Sequence, residues 1–594
     1  TLGAVVIFAL NIWCCVETLL SSSSAMMNTL FIAGSKRGLL SAGRPRLINK
    51  SLVCTPGLKI RFPIELPVGK RDNRLSSADL RKPRLWIDTA IPVTESPELG
   101  ARIMEETGNA TLTRERVSPP LQSRSIKNNR TRPKNQASFK GLVLSLSEKA
   151  SKGEFSREHQ MPRKKTVLLL HPPGACSAFT RSGSQYPPLG LNQLKAIIGD
   201  TSQVDVLEAD GHGLTVEKTV DRIWECAPQA VGMTVTCGTK ELTNAWSTVV
   251  KNIHTDYKPI VIVGGPAAAF ETDSIMKVCR NVDVVVKGEG EVTFPLIVKI
   301  LQEKEGSPVT EVLEALSRIP GVCVRNKPQI NDIKVPTLPS DEFKELPFPD
   351  FSTSPVSSYW APDAQRYPMV TMMTQRGCIA KCSFCNTPQI HGRQIRGWSN
   401  EQIIAELIKL KRQHGVKEVS FVDDVFTNRR GGPLKLCKLL IEQELNLTWY
   451  CNVRADQITP KMAETMKAAG CHQVFIGFES GCDEMLLRIN KGETVKDLER
   501  GAGLLKRVGI SISIGFIVGL PGETEDSVKK SIALCNRVKP DRVQFTRFTP
   551  IPGSAIALQH GLDAGRGFHD RSAEDQIEQW IEQCYEACQY HPSL

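Results

Sequence analysis

Three things are scarce in this 594-residue sequence, and each scarcity excludes a class of function. Charge imbalance is the first. The formal net charge is +12, yet residues 1–160 hold 25 Lys and Arg against 13 Asp and Glu, which leaves 50 of each sign in the other 434 residues. So balanced a body gives no electrostatic footprint for a nucleic acid. Long apolar runs are the second: none occurs beyond residue 20, so no membrane contact is expected for residues 161–594. The third is paired cysteine. Among 18 cysteines, the C-x2-C pair at Cys382 and Cys385 has no second pair at zinc-site distance. A chain this large needs no disulfide staples. Scattered thiols in apolar segments, such as Cys237, Cys437, Cys471 and Cys535, read as buried and reduced, in a reducing, cytoplasmic compartment.

What is present centres on Arg376-Gly-Cys-Ile-Ala-Lys-Cys-Ser-Phe-Cys385, which sets Cys378, Cys382 and Cys385 at C-x3-C-x2-C spacing. Three thiolates so close can converge on one soft metal centre. Structural zinc takes four ligands, whereas three suit an iron–sulfur cubane with one iron left free.

Residues 1–160 read as a leader or a largely disordered basic region. An apolar run at 3–20 precedes Ser21–Ser24, like a signal-peptide core or membrane anchor, but it lacks a basic start and contains Asn11 and Glu17. Residues 26–62 are basic and free of acids, as in an organelle transit peptide; an organelle-targeted or anchored form depends on residues 1–60 being a genuine leader. Over 63–160 no sustained period is visible, and 124–134 favours disorder. Order begins at Met161-Pro-Arg-Lys-Lys-Thr-Val-Leu-Leu-Leu170, which reads like a natural N-terminus, so residues 1–160 are expected to be dispensable for the chemistry.

From 161 to 305, five apolar strand patterns alternate with helical ones: 166–171, 203–208, 230–237, 259–264 and 282–286. This is the pattern of a doubly wound parallel sheet, flavodoxin-like, with ligands beyond the strand C-terminal ends. Gly264, Gly265, Gly288 and Gly290 lie there, where glycine lets backbone approach a large flat ligand. Residues 306–366 form a connector, with Val322–Arg325 and Ile333–Val335 read as a hairpin. From 367 to 560, strands at 369–374, 418–422, 448–453, 473–477, 511–518 and 541–547 alternate with larger helices, as in a partial (β/α)6 barrel of TIM type. Ser399-Asn-Glu-Gln402 is a capping box, and Thr459-Pro460 offers a cap and a first-turn proline. Residues 561–594 are a helical tail in which Cys584 and Cys588 share a face.

Polar groups recur at the strand ends: Asp423 and Asp424, Arg454, Glu479, then Gly515 to Gly519. Any one of these is an ordinary turn; their succession in register after the cysteine triad is not. The cysteine spacing resembles the radical SAM superfamily. The order Tyr186-Pro-Pro-Leu-Gly-Leu191, Ile262-Val-Gly-Gly-Pro266, Val284-Val-Val-Lys-Gly-Glu-Gly-Glu291 resembles the cobalamin-binding domain that precedes many radical SAM cores. The whole is similar to the group of anaerobic magnesium-protoporphyrin IX monomethyl ester cyclases and class B radical SAM methyltransferases.

The resemblance implies an enzyme. Cys378, Cys382 and Cys385 would hold a [4Fe-4S] cluster whose free iron chelates S-adenosyl-L-methionine, giving a 5′-deoxyadenosyl radical on one-electron reduction. It places Phe384 near the adenine, Asp423 or Asp424 at the methionine amino group, Arg454 at its carboxylate, Glu479 at the ribose hydroxyls and the Gly515–Gly519 backbone beside the adenine. Cobalamin is the implied third cofactor, its lower cobalt ligand left open: Asp210-Gly-His212 lacks the final glycine of the mutase motif. Small-molecule substrate and a flavodoxin- or ferredoxin-type electron donor are the implied partners. Methyl transfer to an unactivated carbon is the leading outcome, with oxidative cyclisation of a porphyrin-type substrate as the rival. RNA methylthiolation fits less well, because Cys176, Cys226, Cys237 and Cys279 do not cluster as a second cluster site would need. A non-enzymatic metal or cobalamin carrier would not need the barrel's strand-end residues.

Overall fold

The computed structural model describes residues 139–155, 165–176, 184–199, 203–254, 257–327, 337–429, 432–561 and 571–588, with three short strands near the start. Those strands are β1 (Asn49–Cys54), β2 (Leu58–Pro63) and β3 (Trp86–Asp88), an antiparallel sheet in the first of two compact units, Thr1–Arg132. The leader and disorder readings otherwise fall outside the described residues, as do Met161 and the second half of the connector hairpin.

The second unit, Pro133–Leu594, holds everything else. Its first sheet contains β4 (Lys165–His171), β5 (Val204–Glu208), β6 (Pro228–Thr234), β7 (Ile260–Gly264), β8 (Val284–Val286) and β9 (Val322–Val324), in the order β5-β4-β6-β7-β8-β9. The first five are parallel, because helices return the chain over both faces between them, and both faces are buried. The unbroken Val, Ile and Leu runs of β4, β7 and β8 match that double burial.

Val322–Val324 pairs antiparallel with β8 and extends the sheet by a sixth strand; the other half of the hairpin expected there lies outside the described residues. One reading is corrected here. A helix forms at Phe139–Ser151, where the sequence shows no sustained period. It buries Val143 and Leu146 against the helix Lys240–Ile253 and leaves Leu144 exposed. Two buried positions three apart are too short a pattern to register.

The connector is fastened to the first sheet's body. The buried Glu208 carboxylate accepts hydrogen bonds from Tyr359 Oη at 2.7 Å, from Asn192 Nδ2 at 3.1 Å and from Ser354 Oγ. Gln193 Nε2 donates to Pro347 O at 2.8 Å, and Lys195 pairs with Asp350 at 3.2 Å.

The chain then forms β10 (Met369–Met372) and a two-stranded ladder, β11 (Gln375–Arg376) with β12 (Arg396–Gly397), that closes the loop beyond β10. The second sheet is parallel throughout: β10, β13 (Glu418–Phe421), β14 (Thr448–Val453), β15 (Cys471–Glu479), β16 (Ser511–Val518) and β17 (Arg542–Arg547), in that order. Helices Asn400–His414, Pro433–Glu442, Pro460–Ala468, Val495–Arg507 and Glu525–Val538 cover it. The Ser399/Gln402 capping box and the Thr459 cap form as the sequence indicates. Among the described residues no ladder joins β10 to β17, so the strands stop short of a closed ring.

Candidate functional site

The loop between β11 and β12 carries the three cysteines at the C-terminal end of the second sheet. Gly377 opens it at φ +101°, where a Cβ would lie 2.4 Å from Gln394 O; no other residue fits. Neighbouring segments hold the loop. Ser383 N donates to Ile489 O at 2.8 Å, and Ser383 O accepts from Ile556 N at 2.9 Å. Asn428, after β13, reaches Cys378 Sγ at 3.8 Å; Cys382 Sγ reaches Lys491 O at 4.0 Å; Thr387 N donates to Cys385 Sγ at 3.4 Å.

None of the three is in a disulfide. Cys378 and Cys382 each lie within electrostatic range of Cys385. Burial pushes the Cys382 thiol up, while the Lys491 ammonium and Arg454 guanidinium push it down. Thiolates are the ligating form, and adjacent cations favour them. Among the described residues, no group of three or more His, Cys, Asp or Glu side chains is gathered closely enough to hold a metal ion. A cubane binds its protein thiolates on separate irons, so it takes them farther apart than a single ion would. Three free thiols on one loop, with two cations beside Cys382, are a donor set whose chemistry suits an iron–sulfur cluster.

The adjacent carboxylates divide. Asp423 is fully buried and accepts from Thr374 N at 2.5 Å, Thr374 Oγ1 at 2.5 Å and Gln375 N at 3.2 Å. Burial pushes it up to about 6. Its hydrogen-bonding capacity is taken by the chain leaving β10. Asp424 faces the cysteine loop instead: Gly377 N donates to one oxygen at 3.2 Å and Thr387 Oγ1 to the other at 3.3 Å, spanning the triad.

Arg454 lies beside Cys382 but forks onto Asp456 with two bonds of 3.1 Å, and sits 3.5 Å from Glu493. Glu479, at φ +64° at the end of β15, pairs with Lys491 at 3.1 Å. Lys491 also lies 3.4 Å from the buried Glu493. Lys491 and Glu493 are site residues that strand-end reasoning misses, since they come after the helix Asp483–Arg488. The polar run Asn490-Lys-Gly-Glu-Thr494 is their signal in the sequence. Phe384 is half-buried against the core of the second sheet.

The glycines lie close to other parts of the protein. At Gly265 the place of a Cβ is taken by Thr234 and Val235, at Gly290 by Leu194, at Gly515 by the Phe475 ring and at Gly519 by Ile577 of the C-terminal helix, all within about 3 Å. Their missing side chains make room for protein. Gly264 has only ordinary contacts, and Gly288 takes φ +84° ahead of Glu289. His212 is exposed on the turn after β5.

A cavity of about 250 Å³ opens between the two sheets. One wall comes from the strand ends of the first, with Thr236, Cys237 and the segment Pro266–Glu271. The other comes from Asn386 and Ile390, just past the cysteines, and from Ile551 and Pro552 after β17. Cys437, Cys471 and Cys535 are buried as expected, but Cys237 is exposed here.

Residues 372–535 match the family model of the radical SAM superfamily, and residues 177–298 that of the B12 binding domain. An uncharacterized methyltransferase of Pyrococcus horikoshii is 30% identical over 390 residues, spanning 66% of this chain and 82% of the relative. The anaerobic magnesium-protoporphyrin IX monomethyl ester cyclase of Rubrivivax gelatinosus is 24% identical over 66% of this chain and 70% of its own length. In fold, the chain is similar to the radical S-adenosylmethionine methyltransferase TsrM of Kitasatospora setae, with a TM-score of 0.50 and 18% identity over 67% of this chain and 78% of that one.

Proposed function

We propose, from the premise that this chain belongs to the radical SAM superfamily and carries a B12-binding domain, that it transfers a methyl group to an unactivated carbon of a small molecule. Cys378, Cys382 and Cys385 would hold a [4Fe-4S] cluster, and the strand ends of the first sheet would hold cobalamin. When bound, these groups supply the electron that cleaves S-adenosylmethionine and the methyl that is transferred. The chain's own residues do the rest. Asp424 holds the cysteine loop closed, Lys491 and Arg454 lend positive charge to Cys382, and Glu479 and Glu493 fix both cations. Pro266, Ala267, Phe270, Ile390 and Ile551 line the cavity with apolar surface that excludes water.

The observation that carries this reading is that cavity. It lies between the strand ends of the first sheet and the residues just past the cysteine loop, which supports groups held on either side meeting at this gap. Oxidative cyclisation is the second reading, supported by the likeness to the cyclase. The test is anaerobic purification with iron, sulfide and hydroxocobalamin, then S-adenosylmethionine labelled in its methyl group. A four-iron spectrum lost in Cys382→Ala, retained corrin absorbance and label in product support methylation. Unlabelled, ring-closed product supports the rival. A chain that binds neither cluster nor corrin refutes both.

A further inference from the structure

The ladder that closes the cysteine loop has an electrostatic fault that only the other domain corrects. Arg376 of β11 and Arg396 of β12 are direct cross-strand partners. Like charges directly opposite destabilise a ladder, the more so when removed from water. Here the two side chains are 12% and 5% exposed. Both guanidinium groups also lie over the Phe343 ring, at 5.3 and 5.6 Å from its centre.

Their compensation comes from the turn after β8. Glu289, with its side chain 3% exposed, accepts from Arg376 at 3.1 Å and from both terminal nitrogens of Arg396, at 2.7 and 2.9 Å. Its second oxygen also takes Leu338 N at 2.7 Å. Glu291 pairs with the other terminal nitrogen of Arg376. Two cations and two anions make a neutral, buried set. Arg376 precedes Cys378 by two residues, and Arg396 also fixes His391 O at 2.7 Å on the return limb.

We infer that Glu289 is a positioning residue for the iron–sulfur site: it neutralises the Arg376/Arg396 opposition, so the cysteine loop closes only when the B12-binding domain is docked. Glu289 lies on the turn after a strand of the B12-binding domain's sheet, which couples that domain's seating to the three thiols. This rests on the cluster assignment proposed above. Removing a group that orients metal ligands costs about 10- to 100-fold in affinity, and a loss of that order is expected for Glu289→Gln.

The full chain is reconstituted anaerobically with iron and sulfide. Cluster retention against a chelator and the electron paramagnetic resonance spectrum of the reduced state are then recorded. Glu289→Gln is expected to lose iron about 10-fold faster and to show an altered spectrum. Glu289→Gln with Arg396→Gln leaves Arg376 paired to Glu291 with no opposing charge, and is expected to recover most retention and the wild-type spectrum. That recovery supports the inference even if the single variant does not fold. Retention and spectrum unchanged in Glu289→Gln, or retention in the double variant below that of Arg396→Gln alone, which carries the loss of the His391 O bond by itself, overturn it. A wild-type chain that takes up no four-iron cluster refutes the functional reading instead.

Discussion

Asp424→Ala separates two roles for this carboxylate. In one it holds the cysteine loop; in the other it binds the amino group of S-adenosylmethionine. The structure occupies both oxygens with loop donors, Gly377 N at 3.2 Å and Thr387 Oγ1 at 3.3 Å. A hydrogen bond to a charged acceptor contributes about 1.5–3 kcal/mol, and bonds of this length belong at the low end. Losing both therefore costs about 3 kcal/mol, which is about 100-fold in the balance between closed and open loop. Asp424→Asn keeps one carbonyl acceptor and removes a negative charge that adds to burial in raising the Cys378 thiol. Its expected loss is about 10-fold. The assay is iron retained per chain after dilution into chelator, followed by titration with S-adenosylmethionine. The expected order is wild type, then Asn, then Ala, with iron lost before any question of cofactor affinity arises. If the Ala variant keeps wild-type iron and loses only S-adenosylmethionine affinity, the reasoning is wrong and the ligand-binding role stands.

Asp423→Ala strands three donors and removes the negative charge facing Arg429, so it should destabilise the domain by about 3–5 kcal/mol in denaturant melts; a loss below about 1 kcal/mol contradicts its structural role. Burial raises Glu523 to about 7, above its ordinary 4.5, so the folded chain holds this proton more tightly than the unfolded one. Stability from this group is thus present below pH 4.5 and falls as pH rises to about 7. Glu523→Gln should be more stable at about pH 8 by about 1–3 kcal/mol and lose that advantage below about pH 5, read from unfolding midpoints across pH. Gly519→Ala meets Ile577 at 2.5 Å from a backbone at φ +89°, so it should release the helix Arg571–Ala587, seen as faster proteolysis in that helix; an unchanged digestion pattern counts against that packing.

Strands and the cysteine loop are legible in the sequence because they rest on short-range rules. Unbroken apolar runs such as Thr166–His171 fit strands buried on both faces, and the C-x3-C-x2-C spacing needs no tertiary knowledge. What stays hidden depends on direction. Asp423 and Asp424 are adjacent, so consecutive side chains leave the backbone on different sides, one into the core and one toward the loop. Gly515 and Gly519 read as backbone beside the adenine; that their absent side chains also leave room for Phe475 and Ile577, the latter from a helix more than fifty residues downstream, has no local signal. Glu289 and Glu291 look like part of a glycine-rich ligand turn. Their guanidinium partners lie more than eighty residues on, beyond any local pattern.

The unjoined edges of β10 and β17 have a consequence for traffic. A sealed ring admits only what fits its bore, and its residents must thread end-on. A wall left unsealed along one flank keeps its strand ends from being enclosed by the strands alone, so whatever encloses them must come from the loops and helices around them.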